Sequence, residues 1–519
     1  MDKSVAALTP VVENSKDWQR ISPIALLFFT ERLIKFFVSN LVAFLPALYF
    51  GYDGLKENPQ LGLAIIVGIL LFICLTTFLN YYFFQYRLTQ DHIEIRSGVF
   101  SKKHINLPFS KIQNVKLEQP IYYRPFNYTC LQLDTAGSAK QEAQIVALKV
   151  DFAEQLKKEI LAQHSLTHHT ESPDDSAELT PDAVENEIIL NTRSIADLVI
   201  HGITNNRIWI FLGGLAPFFD NIASYIVSTF SDFGINIEQL LTFSDKPMWQ
   251  ITLYAVTLTF LILLPFIFFS IAGSVITFYH YTLSKVGDRY IRRSGLLTKY
   301  EVSMRLSRLQ MVIRQQDWLD LLLKRINLKF EQANNVLTQH QAGAQNNRII
   351  VPSIFAHQCA ALVDDVYPNN QMMTIAYQRI SKRFLLRNLV FILLPLYSLV
   401  AVFLTVTGKT QLLWGITPLA IFAALLIFMR WYRWGYASDD NYIYIRRGFF
   451  GVDYLCFEHY KVQQVKFKQS WFQQRHQLCS ISVVLAAGAI NLPFIKADKG
   501  SAMLDEVLYQ VESSGKSWM

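Results

Sequence analysis

His164, His168 and His169 stand among seven carboxylates in the run HSLTHHTESPDDSAELTPDAVENE (164–187), the side-chain types that hold a metal ion. The same run has no Lys or Arg, and that composition describes a solvated, disordered linker. Without a rigid scaffold its carboxylates have nothing to shift their pKa values or fix a ligand geometry. Asp220, inside an apolar run, is the position at which a transporter would keep a relay or ion site. A lone charge close to Pro217 fits an interfacial or helix-packing role better. His-Glu-x-x-His, the Walker glycine-lysine loop and Gly-x-Ser-x-Gly are all absent, and no catalytic, metal or cofactor constellation emerges. The more regular residues are basic. Arg96, Arg292, Arg293, Arg446 and Arg447 each stand just before a glycine at a strand end, where side chains project. Close to a bilayer such residues attract anionic headgroups at about 1 kcal/mol each. They equally fit a docking surface for a protein, or the ordinary basic bias of cytoplasmic segments.

The elements that must position these arginines are of two kinds. Of 519 residues 51% are hydrophobic and 17% charged, and long apolar stretches carry the excess. They lie at 33–51, 61–84, 207–230, 250–279, 387–407 and 411–430, and read as six transmembrane helices in three hairpins. This excludes a soluble cytosolic enzyme and a disordered chain. Five cysteines without a Cys-x-x-Cys pair exclude a disulfide framework, and Cys74, in an apolar run, reads as a small buried hydrophobe. Residues 1–20 show no cleavable signal peptide. Net charge is +7, from 48 Lys and Arg against 41 Asp and Glu, a modest excess that suits cytoplasmic flanks and not nucleic acid. The hairpin loops are poor in Lys and Arg and the opposite ends are rich, which puts both termini and the inter-hairpin segments in the cytoplasm.

A soluble unit follows each hairpin, and the three are copies of one another. Gly98 to Gln113, Gly295 to Gln310 and Gly448 to Gln463 are all 15 residues apart, and each glutamine stands two before a valine, Val115, Val312 or Val465. Alternation at Ile93, Ile95 and at Ile443, Ile445 is that of strands, with the glycine at a tight turn. A second stretch with its own glycine follows in two copies, ending at Gly137 and Gly488; the middle copy lacks it. Each copy then closes on an amphipathic helix. Phe152, Leu156 and Ile160 mark it in the first copy, and Leu504, Leu508 and Val511 in the third.

This pattern resembles the bacterial pleckstrin-homology-like, or membrane-flanked, domain family of the YdbS/YdbT type. Gly98, Pro108, Ile112, Gln113, Val115, Gly295, Gln310, Gly448, Gln463, Gly488 and the Asp134 to Gly137 stretch carry the resemblance, with three units in a chain similar to the longer members. The resemblance implies three cytoplasmic PH-like β-sandwich domains, each capped by a helix, and no established catalysis or cofactor. The expected organisation is an N-terminal segment and hairpin (1–84), a first domain (85–163), an acidic disordered linker (164–190) and a linker with the second hairpin (191–279). A second domain (280–365), a linker with the third hairpin (366–430) and a third domain (431–519) follow. The expected protein is a multi-pass scaffold of the bacterial inner (plasma) membrane. Its partners are membrane lipids and a membrane protein, possibly a smaller member of the same family; the alternative is a component of a transporter or an export or stress-resistance complex.

Overall fold

The computed structural model describes residues 17–39, 59–89, 91–99, 101–135, 143–169, 187–205, 247–332 and 348–515, with isolated helical positions between 224 and 232. Asp220 and Gly137 lie outside the described residues. Among the described residues 21 strands form three sets of seven. The first set is β1 (Gln19–Arg20), β2 (Gln85–Leu88), β3 (His92–Ser97), β4 (Lys103–Pro108), β5 (Ile112–Pro120), β6 (Tyr128–Thr135) and β7 (Ala143–Lys149). The second is β8 (Ile188–Thr192), β9 (Thr282–Val286), β10 (Arg289–Ser294), β11 (Thr298–Arg305), β12 (Leu309–Gln316), β13 (Ile326–Gln332) and β14 (Ile349–Ile354). The third is β15 (Gln378–Arg379), β16 (Gly435–Ser438), β17 (Tyr442–Arg447), β18 (Val452–Glu458), β19 (Val462–Lys468), β20 (Leu478–Leu485) and β21 (Gly488–Lys496).

The helices are α1 (Ala25–Ser39), α2 (Pro59–Phe83), α3 (Val150–His169), α4 (Ile195–Thr204), α5 (Met248–Phe278) and α6 (Trp318–Leu322). After them come α7 (Ala356–Val366), α8 (Arg383–Val406), α9 (Thr410–Arg433, its first turn 3-10), α10 (Trp471–Gln474) and α11 (Ala497–Ser514). The first strand of each set comes before the apolar helices and pairs with the strand that follows them: β1 with β2, β8 with β9, β15 with β16. Each unit therefore grips the chain on both sides of its helical insertion. For this reason Ile188–Thr192, which begins inside the stretch 164–190 that composition assigns to a linker, is sheet.

The expected six transmembrane helices in three hairpins are not what forms. Among the described residues three helices are long and apolar enough to cross a membrane: Gly62–Phe83, Arg383–Val406 and Thr410–Arg433. Only the last two make a hairpin. The run 33–51 begins inside α1, whose Ala25 and Phe29 pack into the core of the first unit, and continues outside the described residues, as does most of 207–230. The run 250–279 lies in α5, a helix of 31 residues without a charged side chain, which is not among these three. Protein covers one face of it: Ser270 and Ser274 donate to the carbonyls of Gly202 and Leu198 in α4, at 2.7 and 2.8 Å. Gly202 permits this approach, since a Cβ there would stand 2.5 Å from the Ile271 Cα. Apolarity alone could not separate a lipid-facing surface from one that receives another helix.

Ile93, Ile95, Ile443 and Ile445 are all buried, as their alternation requires, but the intervening Glu94 and Tyr444 are buried as well, so both faces of these strands are covered. In α3 the buried stripe includes Ala153, Leu156 and Ile160. In α11 the buried residue is Val507, flanked by the half-buried Met503 and Val511, while Leu508 is exposed. The stripe there runs at i, i+4, i+8 from Met503, one step of phase from the expected face. Cys74 is exposed and the other four cysteines are buried thiols.

In each unit strands one to four form one sheet and strands five to seven another. The sheets do not end at the unit boundaries. β5 of the first unit pairs antiparallel with β11 of the second, and β12 of the second with β18 of the third. Leu117 faces Glu301 at the first junction and Arg314 faces Tyr454 at the second. In both cases the fourth residue after the repeated glutamine meets the sixth after the repeated glycine. Two seven-stranded sheets thus span neighbouring units, and among the described residues β4 and β19, the counterparts of the joined strands, remain unpaired on that side.

A buried polar network fastens α4 to the second unit. Asn327 Nδ2 donates to Asp320 Oδ2 at 2.8 Å, and Asn327 Oδ1 accepts from the Ser353 N–H at 3.0 Å and lies 2.9 Å from His201 Nδ1. Asp320 is fully buried, and that burial pushes its carboxyl up to about 6, against the lowering bonds from Thr204, Asp317 and Asn327. The folded protein therefore keeps this proton at pH values where the unfolded chain has lost it. The added stability is complete below the ordinary carboxylate range and disappears as pH rises through 6, a fall of about 2–3 kcal/mol. Asp320→Asn should flatten this dependence. Melting of the two proteins compared between pH 4.5 and 7 should show the variant gaining relative to the parent as pH rises; a constant difference overturns the assignment.

Candidate membrane interface

The turn between β17 and β18 carries Phe449 and Phe450, both more than a third exposed. The Phe450 ring stacks on Phe422 of α9 at 6.3 Å, and the Arg430 guanidinium lies 5.2 Å from the Phe449 ring. A second turn, α10, exposes Trp471 and Phe472, and the Phe472 ring meets Phe391 of α8 at 5.7 Å. Ser470 caps α10 by accepting from the Gln473 N–H, while the Gln473 side chain accepts from the Ser470 N–H, so the aromatic pair is presented by a rigid turn. Both turns rest against the spanning hairpin. They form a belt of aromatic side chains with Arg430 beside it, the composition that settles at a bilayer surface.

The corresponding turn of the second unit is tied to α5: Gly295 N–H donates to the Tyr279 carbonyl and Leu296 N–H to that of Ile276, both at 2.8 Å. In the two units the repeated glycine turn therefore faces the apolar helices.

The five arginines fare differently. Arg292 is almost fully buried and donates to the Arg348 carbonyl at 2.9 Å; burial pulls its guanidinium pKa down. Arg293 pairs with Glu187 and, at 2.9 Å, with Glu301. Arg96 covers Trp18 at 3.8 Å. Arg446 Nε donates to the Arg433 carbonyl at 3.0 Å, and Arg447 approaches Asp453 at 3.9 Å. The expectation that these side chains project fails for Arg292 because the other face of β10 is also covered, whereas Arg447 is 41% exposed.

At Gln113, Gln310 and Gln463 the ladder slips: register breaks between Ile112 and Asn114, Leu309 and Met311, Val462 and Gln464. The repeated glutamine is thus the bulge residue in all three units. Its side chain has no common environment, since Gln310 is fully buried and Gln463 exposed. A glutamine six residues later escaped notice in the sequence. Gln119 Nε2 donates to the Tyr128 carbonyl at 3.1 Å, Gln316 to Arg325 at 2.9 Å and Gln469 to Leu478 at 2.9 Å. This bond closes the turn that holds Trp318 in α6 or Trp471 in α10. The signal was available as a second fixed spacing. Gln469→Ala should destabilise the third unit by about 1 kcal/mol, and loosen Trp471, read as a red shift and faster quenching of its fluorescence. Unchanged emission and stability would refute the clamp.

Residues 40–164 and 384–511 match the family model described as Bacterial PH domain. The chain is a bacterial PH-domain protein. The matched ranges hold most of the first and third units, and the middle unit, whose sequence lacks the late glycine, lies outside them. The chain is also similar to the UPF0699 transmembrane protein YdbT of Bacillus subtilis (strain 168), with 20% identity over 477 residues that cover 89% of this chain and 92% of that protein. PH domains are binding modules, and with its spans this bacterial PH-domain chain is a membrane-associated binding protein. Among the described residues no three His, Cys, Asp or Glu side chains converge as a metal site would.

Proposed function

We propose that this chain is a non-enzymatic scaffold of the bacterial inner membrane. Its PH-like units and both termini lie on the cytoplasmic side, and it docks a further PH-like unit, carried by another membrane protein, onto β19. One observation carries the reading: the edge that β5 and β12 use to receive the next unit, in one register both times, stands open at β19 among the described residues. Orientation rests on basic residues. Arg379, Lys382, Arg383, Arg387, Arg430 and Arg433 flank the unit end of the hairpin, against Lys409 alone in its loop. The belt of Phe449, Phe450, Trp471 and Phe472, with Arg430 and Arg447, seats the third unit on anionic headgroups.

The occupant is not a second copy. In the repeated register Lys468 would face Lys103 of β4, and like charges directly opposite destabilise a sheet. At the internal junction the residue in the place of Lys103 is Asp453. A strand with an acidic residue there complements Lys466 and Lys468, while these lysines keep the bare edge from indiscriminate pairing.

A photoreactive amino acid at Gln464, in the full chain in native membranes, tests this reading. The adduct should contain a separate PH-like membrane protein and should disappear with Lys466→Glu and Lys468→Glu combined. The same probe at Tyr509, exposed on α11, should not give that adduct. A self-adduct, no adduct, or equal labelling from both positions rejects the proposal.

A further inference from the structure

The first junction forms a half-open cavity of about 780 Å³ between the first two units. We propose that this cavity binds a phosphate-bearing organic anion. The inference does not depend on the β19 reading, since it uses a junction closed within the chain.

The two units contribute opposite walls. From the first come Arg124, in the turn after β5, and Glu154 of α3; from the second come His280, Arg293, Ser294 and Lys299. Three polar atoms among these are buried without any partner: Arg124 Nε, Arg124 Nη2 and Ser294 Oγ. Leaving guanidinium N–H groups buried and unbonded costs free energy, and neighbouring Nε–H and Nη–H groups form the fork that grips two oxygens of one phosphate. Ser294 is only 5% exposed and offers a hydroxyl to the same space. The Lys299 amine stands in no ion pair among the described residues and can add charge from the rim.

The carboxylates do not cancel this. Glu301 is held by Lys157 and Arg293, and burial, which would raise its pKa, is outweighed by these two cations. Glu154 alone remains, against Arg124 and Lys299. A bare phosphate ion would fill a small part of such a volume, so the ligand carries a polar organic group as well. A phosphate ester of this kind comes either from a phospholipid headgroup or from a soluble metabolite. His280, next to the end of α5, lines the cavity on the helix side and leaves a lipid route open.

The test uses the full chain in a neutral detergent. One arm adds glycerol 3-phosphate; the other reconstitutes the chain in phosphatidylcholine vesicles with or without phosphatidylglycerol. Binding should raise the melting temperature by roughly a few degrees. A shift with the soluble ester identifies a soluble source, and one confined to phosphatidylglycerol identifies lipid. Arg124→Gln should weaken binding on the order of tenfold or more while leaving the ligand-free protein as stable as before or more so, because its orphaned donors are gone. Lys299→Gln, an exposed change that leaves folding intact, should weaken binding as well. If neither arm shifts melting, or if both variants respond as the parent does, the cavity is no such site. Loss of ligand-free stability in Arg124→Gln with an undiminished ligand shift also rejects it, assigning Arg124 to the fold.

Discussion

Gly295→Val should prevent the second unit from folding. The backbone at Gly295 has φ +122°, a conformation that side chains rarely adopt, and a Cβ there would stand 1.9 Å from the Thr298 carbonyl oxygen. The oxygen cannot retreat, because Thr298 is the residue at which β11 joins β5 of the first unit. The turn is also held from the other side by its bonds to Tyr279 and Ile276. Backbone strain of about 1–3 kcal/mol and a clash of comparable cost combine to about 2–6 kcal/mol, a large part of the usual stability of a domain. Protein level in membranes and the protease resistance of 248–332 should both collapse. Gly295→Ala should do nearly as much harm, since it brings the same Cβ. A benign Gly295→Ala beside a disruptive Gly295→Val would show that side-chain bulk and not the backbone is responsible.

The repeated glycine was readable because it answers to local geometry. A position that only glycine can occupy stays glycine in every copy, and Gly98 and Gly448 meet the fourth-residue carbonyl oxygen in the same way, at 2.0 and 2.1 Å. Strand alternation was readable for the same reason, and so was the bulge position, marked by Gln113, Gln310 and Gln463. The strands before the spans were not. Gln19–Arg20 and Gln378–Arg379 are two residues long and exposed, and two residues show no period. Their pairing depends on the helices bringing distant segments together.

The spans were misjudged where hydropathy was asked to name its partner. Leu263–Phe278 is apolar, yet Ser270 and Ser274 reveal a face made for α4. The roles of the arginines depend on tertiary neighbours too. Nothing in Ile-Arg-Arg-Ser-Gly distinguishes the buried Arg292 from the half-exposed Arg293. The junctions were the least legible feature, because pairing between units leaves no local signature beyond sheet-forming residues on both edges.

Gly451→Val tests those junctions directly. Gly451 stands at the start of β18, and a Cβ there would lie 2.3 Å from the Gln316 carbonyl oxygen and 2.8 Å from the Asp317 Cα, both in the second unit. Its own φ is not positive, so the third unit has no cause to misfold. Gln316 cannot yield, since its side chain is anchored to the Arg325 carbonyl and Asp317 caps α6. The strands must therefore separate where Gln316 faces Val452 and Gln315 faces Asp453. Arg314 also loses Tyr454, whose ring lies 5.5 Å from its guanidinium. We expect amide exchange along β12 and β18 to accelerate by about 100- to 1,000-fold, equivalent to about 3–4 kcal/mol. Cleavage between 367 and 377, which joins the two units, should rise with it, whereas protein level should fall far less than for Gly295→Val. Intact exchange protection at the junction would mean that the units are not coupled through this pairing. If they are, the variant has a second consequence. Opening the junction bares β18 without the lysines that guard β19, and such an edge pairs readily with other chains, so the solubilised variant should also aggregate on concentration while the parent does not.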